Sequence, residues 1–162
     1  MIKLVVLTII LVLSLDQLTK QLITNTMEIG DSNPIINNFL YITYHRNTGA
    51  AFGLFEGQMI FFYIVTTIAV ILVFVWLTKI NIKKEKVLAI ALALILSGAL
   101  GNFIDRVRYQ SVIDFIHTVW WGNSFPIFNI ADMALTIGAV LVLFDMLILD
   151  RKRSKDLYFK MD

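Results

Sequence analysis

Cysteine is absent from this chain, which excludes disulfides, thiolate nucleophiles and sulfur-ligated metal sites in any redox compartment. Charge is scarce: 16% of the 162 residues are Asp, Glu, Lys or Arg, against 58% hydrophobic, far from the balance of a soluble domain. There is no long basic run with interleaved aromatics and the net charge is only +2, so the electrostatic footprint of a nucleic-acid binder is missing. No repeat, linker or low-complexity segment marks a second domain, and the chain reads as a single membrane domain over 1–162.

What the chain has instead is long apolar runs. Four stretches, about 4–24, 59–78, 87–105 and 131–149, approach or reach the roughly 20 helical residues needed to cross about 30 Å of hydrocarbon. The first resembles a secretory signal because Lys3 precedes the run Leu4 to Leu15. No small-residue cleavage site follows, however, and Asp16, Gln17 and Lys20 continue the helical pattern, so a retained span is expected. Lys3, the Lys79, Lys83, Lys84 and Lys86 loop, and the tail residues Arg151, Lys152, Arg153, Lys155 and Lys160 fall on one side. Only Lys20, Arg46, Arg106 and Arg108 lie towards the other. The excess of positive charge places both termini in the cytoplasm.

The two outward connections, roughly 25–58 and 107–129, are long, and long loops on a rigid scaffold tend to carry function. Gly30, Asp31, Asn33 and Pro34 are turn formers, and Phe39 to Tyr44 has the composition of a short strand or hairpin. Val112 to Ile116 is a second strand-like run, and Trp120 and Trp121 are expected at headgroup depth. Ser97, Gly98 and Gly101 form a small-residue patch suited to close helix approach. Ser97 as a nucleophile would need a base that the sequence does not place.

Two aspartates stand out at the outer boundary, where an ionisable group is costly unless paired, hydrated or used. Asp114 interrupts the apolar run V-I-D-F, against strand propensity; its bland reading is a solvated, outward-facing strand residue. Asp132 lies in N-I-A-D at the start of the last span. There Asn129 is the expected N-cap and Asp132 the N3 partner of a capping box, which suits an ionised carboxylate and leaves a catalytic role open. Brought within a few Å, two aspartates cannot both ionise easily. The ionised member can then activate a water, while the protonated one polarises a peptide carbonyl and protonates the leaving amine.

Asp114, His117, His45 and Asp132 are also zinc-ligating types, but no H-E-x-x-H or equally compact motif occurs, and neither metal nor cofactor is expected. Asp16 and Lys20, four apart with the acid first, are a helix ion pair by default and part of an active-site surround by extension. Asn102, Asp105 and Arg106 read either as a helix end reaching water or, with Arg106 as donor, as a site for a headgroup or carbonyl. In R-N-T-G-A-A-F, Gly49, Ala50 and Ala51 suggest a tight turn of close backbone approach, with Asn47 supplying hydrogen bonds. Asp145 and Asp150 face the cytoplasmic end and read as structural.

Taken together, D-Q-L-T-K at 16–20, R-N-T-G-A-A-F at 46–52, G-A-L-G-N-F-I-D-R at 98–106, V-I-D-F at 112–115 and F-N-I-A-D at 128–132 resemble the bacterial lipoprotein signal peptidases, signal peptidase II, over essentially the whole chain. The resemblance implies an aspartic endopeptidase with Asp114 and Asp132 as its catalytic pair. It implies that Asp16, Lys20, Asn47, Gly49, Asn102, Arg106, Asn129 and Ala131 support the site or contact substrate. The implied fold is an all-α membrane core of four helices with an extracytoplasmic β-cradle and a short interfacial helix. The implied substrate is a diacylglyceryl-modified prolipoprotein, cut just before its lipidated cysteine at the outer face of the bacterial cytoplasmic membrane. Membrane lipid and globomycin-type inhibitors are the other implied partners, and a monomer is expected. Phe52, Phe55 and Trp120 are positions that would tune substrate fit.

The rivals are a small proton-coupled carrier, with the same acidic residues lining a polar path, and a non-catalytic adaptor. Against the first, the halves show no internal repeat and no broken helix at the midplane. Against the second, an adaptor has no need of two acids at the lipid boundary.

Overall fold

The structure, a computed structural model, describes residues 1–49 and 54–149. Four helices, α1 (Ile2–Thr26), α2 (Met59–Lys79), α3 (Lys86–Tyr109) and α4 (Ile130–Phe144), the last continued by a π-helical turn at Asp145–Leu149, are long and apolar enough to cross a membrane. They match the four expected spans, except that α3 runs on to Tyr109, past the polar group at Asn102, Asp105 and Arg106. Helix α3 is the central helix: it packs on α1, α2 and α4 and buries one face along most of its length. Leu18 and Leu22 of α1 and Ile60 and Leu72 of α2 stay exposed, the outward apolar belt of a multi-pass membrane protein.

Small residues let the helices approach. A Cβ on Gly98 would lie 2.5 Å from the Ala131 carbonyl oxygen, and one on Gly101 would lie 2.5 Å from Asp16 Oδ2 and 3.2 Å from Ala131 Cβ. The patch anticipated at Ser97, Gly98 and Gly101 is therefore where α1, α3 and α4 converge. Ser97 is fully buried and its hydroxyl donates to the Ala93 and Leu94 carbonyls of its own helix. Gly138, on α4, provides a second close approach: a Cβ there would lie 2.8 Å from Ala91 O.

Between the helices on one side of the bundle lies a four-stranded antiparallel sheet, in the order β1 (Ser32–Ile36), β2 (Leu40–Asn47), β3 (Val112–Trp120) and β4 (Asn123–Ser124). It fulfils the expected hairpin at Phe39–Tyr44 and the expected strand around Asp114. Ile23 of α1 packs with Tyr44, Ile113 and Phe115 beneath it, fixing the sheet to the helical core. Trp120 and Trp121 sit at the exposed β3–β4 tip, Trp121 with a left-handed φ of 47°. Among the described residues there is no separate short interfacial helix: Leu54–Gly57 is a turn, and 50–53 lie outside the described residues. So do Asp150 and the basic tail residues.

Candidate active site

Asp114 enters the site because β3 is pinned on both sides. Its register partner on β2 is His45, which puts Asn47 on the diagonal of the same face. Asn47 Nδ2 donates to Asp114 Oδ2 at 2.9 Å, and the Gly49 backbone N–H donates to Asn47 Oδ1 at 2.9 Å, so the amide can present only its NH2 to the aspartate. Gly49 itself has no room for a side chain, since a Cβ would lie 2.8 Å from Leu54 O. Asp114 is 1% exposed, which removes the solvated-strand reading.

Asp132 comes from the start of α4, and the capping box is present: its backbone N–H donates to Asn129 Oδ1 at 3.0 Å, while its Oδ2 accepts the Asn129 backbone N–H at 3.1 Å. Asn129 does more than cap. Its Nδ2 donates to Asp114 Oδ1 at 2.7 Å and to Asn102 Oδ1 at 3.1 Å, so one residue holds both aspartates. Asn102 Nδ2 in turn donates to Asp132 Oδ1 at 2.7 Å. Each carboxylate thus accepts a hydrogen bond on both oxygens, leaving lone pairs for a water or substrate group.

Behind this layer is a buried ion cluster. Lys20 Nζ contacts Asp16 Oδ2 and Asp105 Oδ2, each at 2.9 Å, and donates to Asn102 Oδ1 at 3.0 Å. Asp16 Oδ1 accepts the Ala131 N–H at 2.9 Å, which ties α1 to the first turn of α4. Asp16, Lys20 and Ala131 are each essentially inaccessible. The polar group at the end of α3 does not reach water as a helix terminus would: Asn102 and Asp105 are buried inside this network.

Arg106 lines the other side. Its guanidinium lies 4.5 Å from the Phe62 ring centroid and Nη2 makes a long 3.5 Å contact to Gly49 O, while its buried Nε has no hydrogen-bond partner among the described residues. A cavity of about 1110 Å³ connects these groups and runs from the sheet down between α2 and α4. Its walls include Val65, Thr66 and Ala69 from α2 and Met133, Thr136 and Ile137 from α4.

Burial pushes the Asp114 carboxyl up from 3.8 to about 7, and the neighbouring Asp132 charge adds to this, against the opposing pull of Asn47, Asn129 and Lys20. A carboxyl raised that far can hold a proton near neutral pH.

All ten residues singled out in the sequence converge here. Gln17 was missed, and Asp105, read with Asn102 and Arg106 as a polar helix end or a recognition site, was not expected to join Asp16 and Lys20: Gln17 Nε2 donates to Asp16 Oδ2 at 3.2 Å, to Gly101 O at 3.3 Å and to Asp105 Oδ1 at 3.1 Å. The signal available was their polarity within apolar spans, beside Asp16 and Arg106. His117 is engaged elsewhere, its Nδ1 pairing with Thr43 Oγ1 at 3.1 Å and its Nε2 with Ser124 Oγ at 2.7 Å, while His45, exposed, lies opposite Asp114 on β2 and lines the cavity. Phe55 stacks on Phe61 and Trp120 packs edge-on against Phe39; Ala50, Ala51 and Phe52 lie outside the described residues.

A family model described as signal peptidase (SPase) II matches residues 8–148. A lipoprotein signal peptidase of Bacillus pumilus (strain SAFR-032) is 51% identical over 142 residues, 88% of this chain and 90% of that protein. One of Shouchella clausii (strain KSM-K16) is 51% identical over 146 residues, 90% and 94% of the two chains. Among solved structures, a bacterial membrane enzyme determined by the in meso method at 2.3 Å superimposes with a TM-score of 0.84 at 46% identity, covering 91% of this chain and 89% of its own.

Proposed function

The chain belongs to the signal peptidase II family and is an aspartic-type peptidase that removes signal peptides from prolipoproteins, and we propose that Asp114 and Asp132 are the pair that performs the cleavage. The observation that carries this assignment is Asn129, which holds Asp114 Oδ1 by its side chain and Asp132 by the capping box, so the two acids share one rigid support. Asp132, supplied with donors at a helix N-terminus, takes the proton of a water between the acids; Asp114 carries the shared proton, polarises the scissile carbonyl and protonates the departing amine. Asn47, Asn102 and Asn129 hold the carboxylates, Gly49 keeps Asn47 in orientation, and Asp16, Lys20 and Ala131 anchor α1 and α4 behind them. Arg106 Nε, without a partner among the described residues, is a donor for a substrate carbonyl: leaving such a donor unused costs roughly 1–3 kcal/mol.

The substrate in this reading is diacylglyceryl-modified, and its acyl chains occupy the apolar cleft between α2 and α4 while the peptide crosses the sheet. The whole chain acts as one membrane peptidase domain, a monomer in the bacterial cytoplasmic membrane with both termini inside and the acids at the outer face. Globomycin-type inhibitors would compete for the same cavity. The test is cleavage of a diacylglyceryl-modified prolipoprotein in detergent by wild type, Asp114→Asn and Asp132→Asn, with a chelator in parallel. Wild type is expected to cut in chelator and each folded variant to lose at least about 10²-fold in kcat. Cleavage surviving in either variant, or abolished by chelator, would sink the assignment.

A further inference from the structure

Asp105 has no acid or base role in the proposed reaction, yet its carboxylate is buried and fully partnered. Oδ2 accepts the Ile113 backbone N–H at 3.1 Å and the Lys20 ammonium at 2.9 Å, and Oδ1 accepts Gln17 Nε2 at 3.1 Å. Both partners of Oδ2 lead to the reacting acids in one short step. Ile113 immediately precedes Asp114 on β3. Lys20 donates to Asn102 Oδ1, which leaves only the NH2 of that amide to meet Asp132 Oδ1. Lys20 already has Asp16 as a counter-ion on its own helix, so a second buried carboxylate adds desolvation cost that charge pairing alone does not require. Its distinguishing contact is the single backbone N–H beside Asp114.

We propose that Asp105 is a positioning residue that sets the separation of the two catalytic carboxylates, tying Asp114 through the Ile113 amide and Asp132 through Lys20 and Asn102. The inference rests on the reading of Asp114 and Asp132 as the catalytic pair. The ionisable groups that bear on it directly are Lys20 on α1 and Arg106 on α3, and Lys20 in turn bears on Asp16 of its own helix, Asp114 on β3 and Asp132 on α4. With Asp105 uncharged, Lys20 loses one of its two counter-ions, and its charge, which pulls the Asp114 carboxyl down, is less offset, so Asp114 gives up its proton at lower pH.

The experiment is steady-state cleavage of a diacylglyceryl-modified prolipoprotein by the full chain in detergent, from about pH 5 to about pH 9, for Asp105→Asn, Asp105→Glu and Asp114→Asn. Asp105→Asn is expected to lose about tenfold or more in kcat, to keep KM within about threefold, and to move the alkaline limb of its pH profile to lower pH. Asp105→Glu keeps the charge, so its limb stays in place while kcat falls through misplacement. If only the Glu variant folds, its kcat decides. A kcat within about twofold of wild type, or a loss in Asp105→Asn with an unmoved limb, overturns the positioning role, as does failure of both variants to fold. Cleavage by Asp114→Asn would instead overturn the catalytic pair itself.

Discussion

Asp114 is buried at the cost of part of its charge, and that cost has a sign. Its carboxyl is raised from 3.8 to about 7 by burial and by Asp132, so the folded chain holds a proton that the unfolded chain releases. Such a group destabilises the fold progressively as pH rises from the lower value to the higher. At pH above 7 the penalty is on the order of 4 kcal/mol, from about 1.4 kcal/mol for each pKa unit. Wild type should therefore lose thermal midpoint between about pH 5 and about pH 8, and folded Asp114→Asn should lose less over the same interval. A differential scan in detergent at the two pH values reads this, and equal losses would show that Asp114 is not the group responsible. In the proposed mechanism this is also the proton that the leaving amine takes up. On the proposed mechanism kcat/KM falls as pH rises above about 7, approaching tenfold per unit, and a flat profile to about pH 9 would remove Asp114 as the acid.

Helix α4, which supplies Asp132, crosses α3, which supplies Asn102, where Gly98 of α3 lies against the Ala131 carbonyl of α4. A Cβ there would sit 2.5 Å from that oxygen and 2.9 Å from Leu135 Cγ, and the oxygen belongs to backbone that cannot swing aside. Gly98→Leu should push α4 outward, destabilise the protein by roughly 1–3 kcal/mol or more, and lower kcat by shifting Asp132 from Asn102. Full activity with an unchanged melting temperature would show the crossing to be looser than the structure has it. This crossing was legible in the sequence as a small-residue patch, and so was the capping box, because both are local patterns within one helix. Asp16 with Lys20 was legible for the same reason. What could not be read was the partner across the bundle: Asp105 meets Lys20 only because α1 and α3 pack, and four-residue spacing carries no information about that. Nor could the strand register be read, although it alone puts Asn47 beside Asp114; the irregularity between Ile42 and His45 in the β2–β3 pairing has no sequence signature.

The whole molecule is shaped by having hydrocarbon as its solvent, and here its lack of cysteine becomes useful. A single Cys introduced at Asn123, on the exposed hairpin tip, should react with a membrane-impermeant maleimide in intact cells. One at Lys84, in the exposed α2–α3 turn, should react only after permeabilisation, as the distribution of Lys and Arg implies. The reverse pattern would put the acids on the cytoplasmic side. The same solvent gives meaning to the cleft between α2 and α4. Both helices pack on α3, and the cavity between them is walled by Thr66 and Ala69 on one side and Thr136 and Ile137 on the other. A peptide alone has no need of an apolar slot at that depth, whereas acyl chains would enter it from the bilayer without crossing water. Ala69→Trp should narrow the slot from its α2 wall. It should raise KM for a diacylated substrate several-fold and leave kcat within about twofold, the signature of lost binding that is uniform in ground and transition states. Each buried CH2 excluded costs about 0.8 kcal/mol, so even partial occlusion is measurable. An unchanged KM would mean that the lipid lies elsewhere, and a loss confined to kcat would mean that the tryptophan has disturbed the acids rather than the slot.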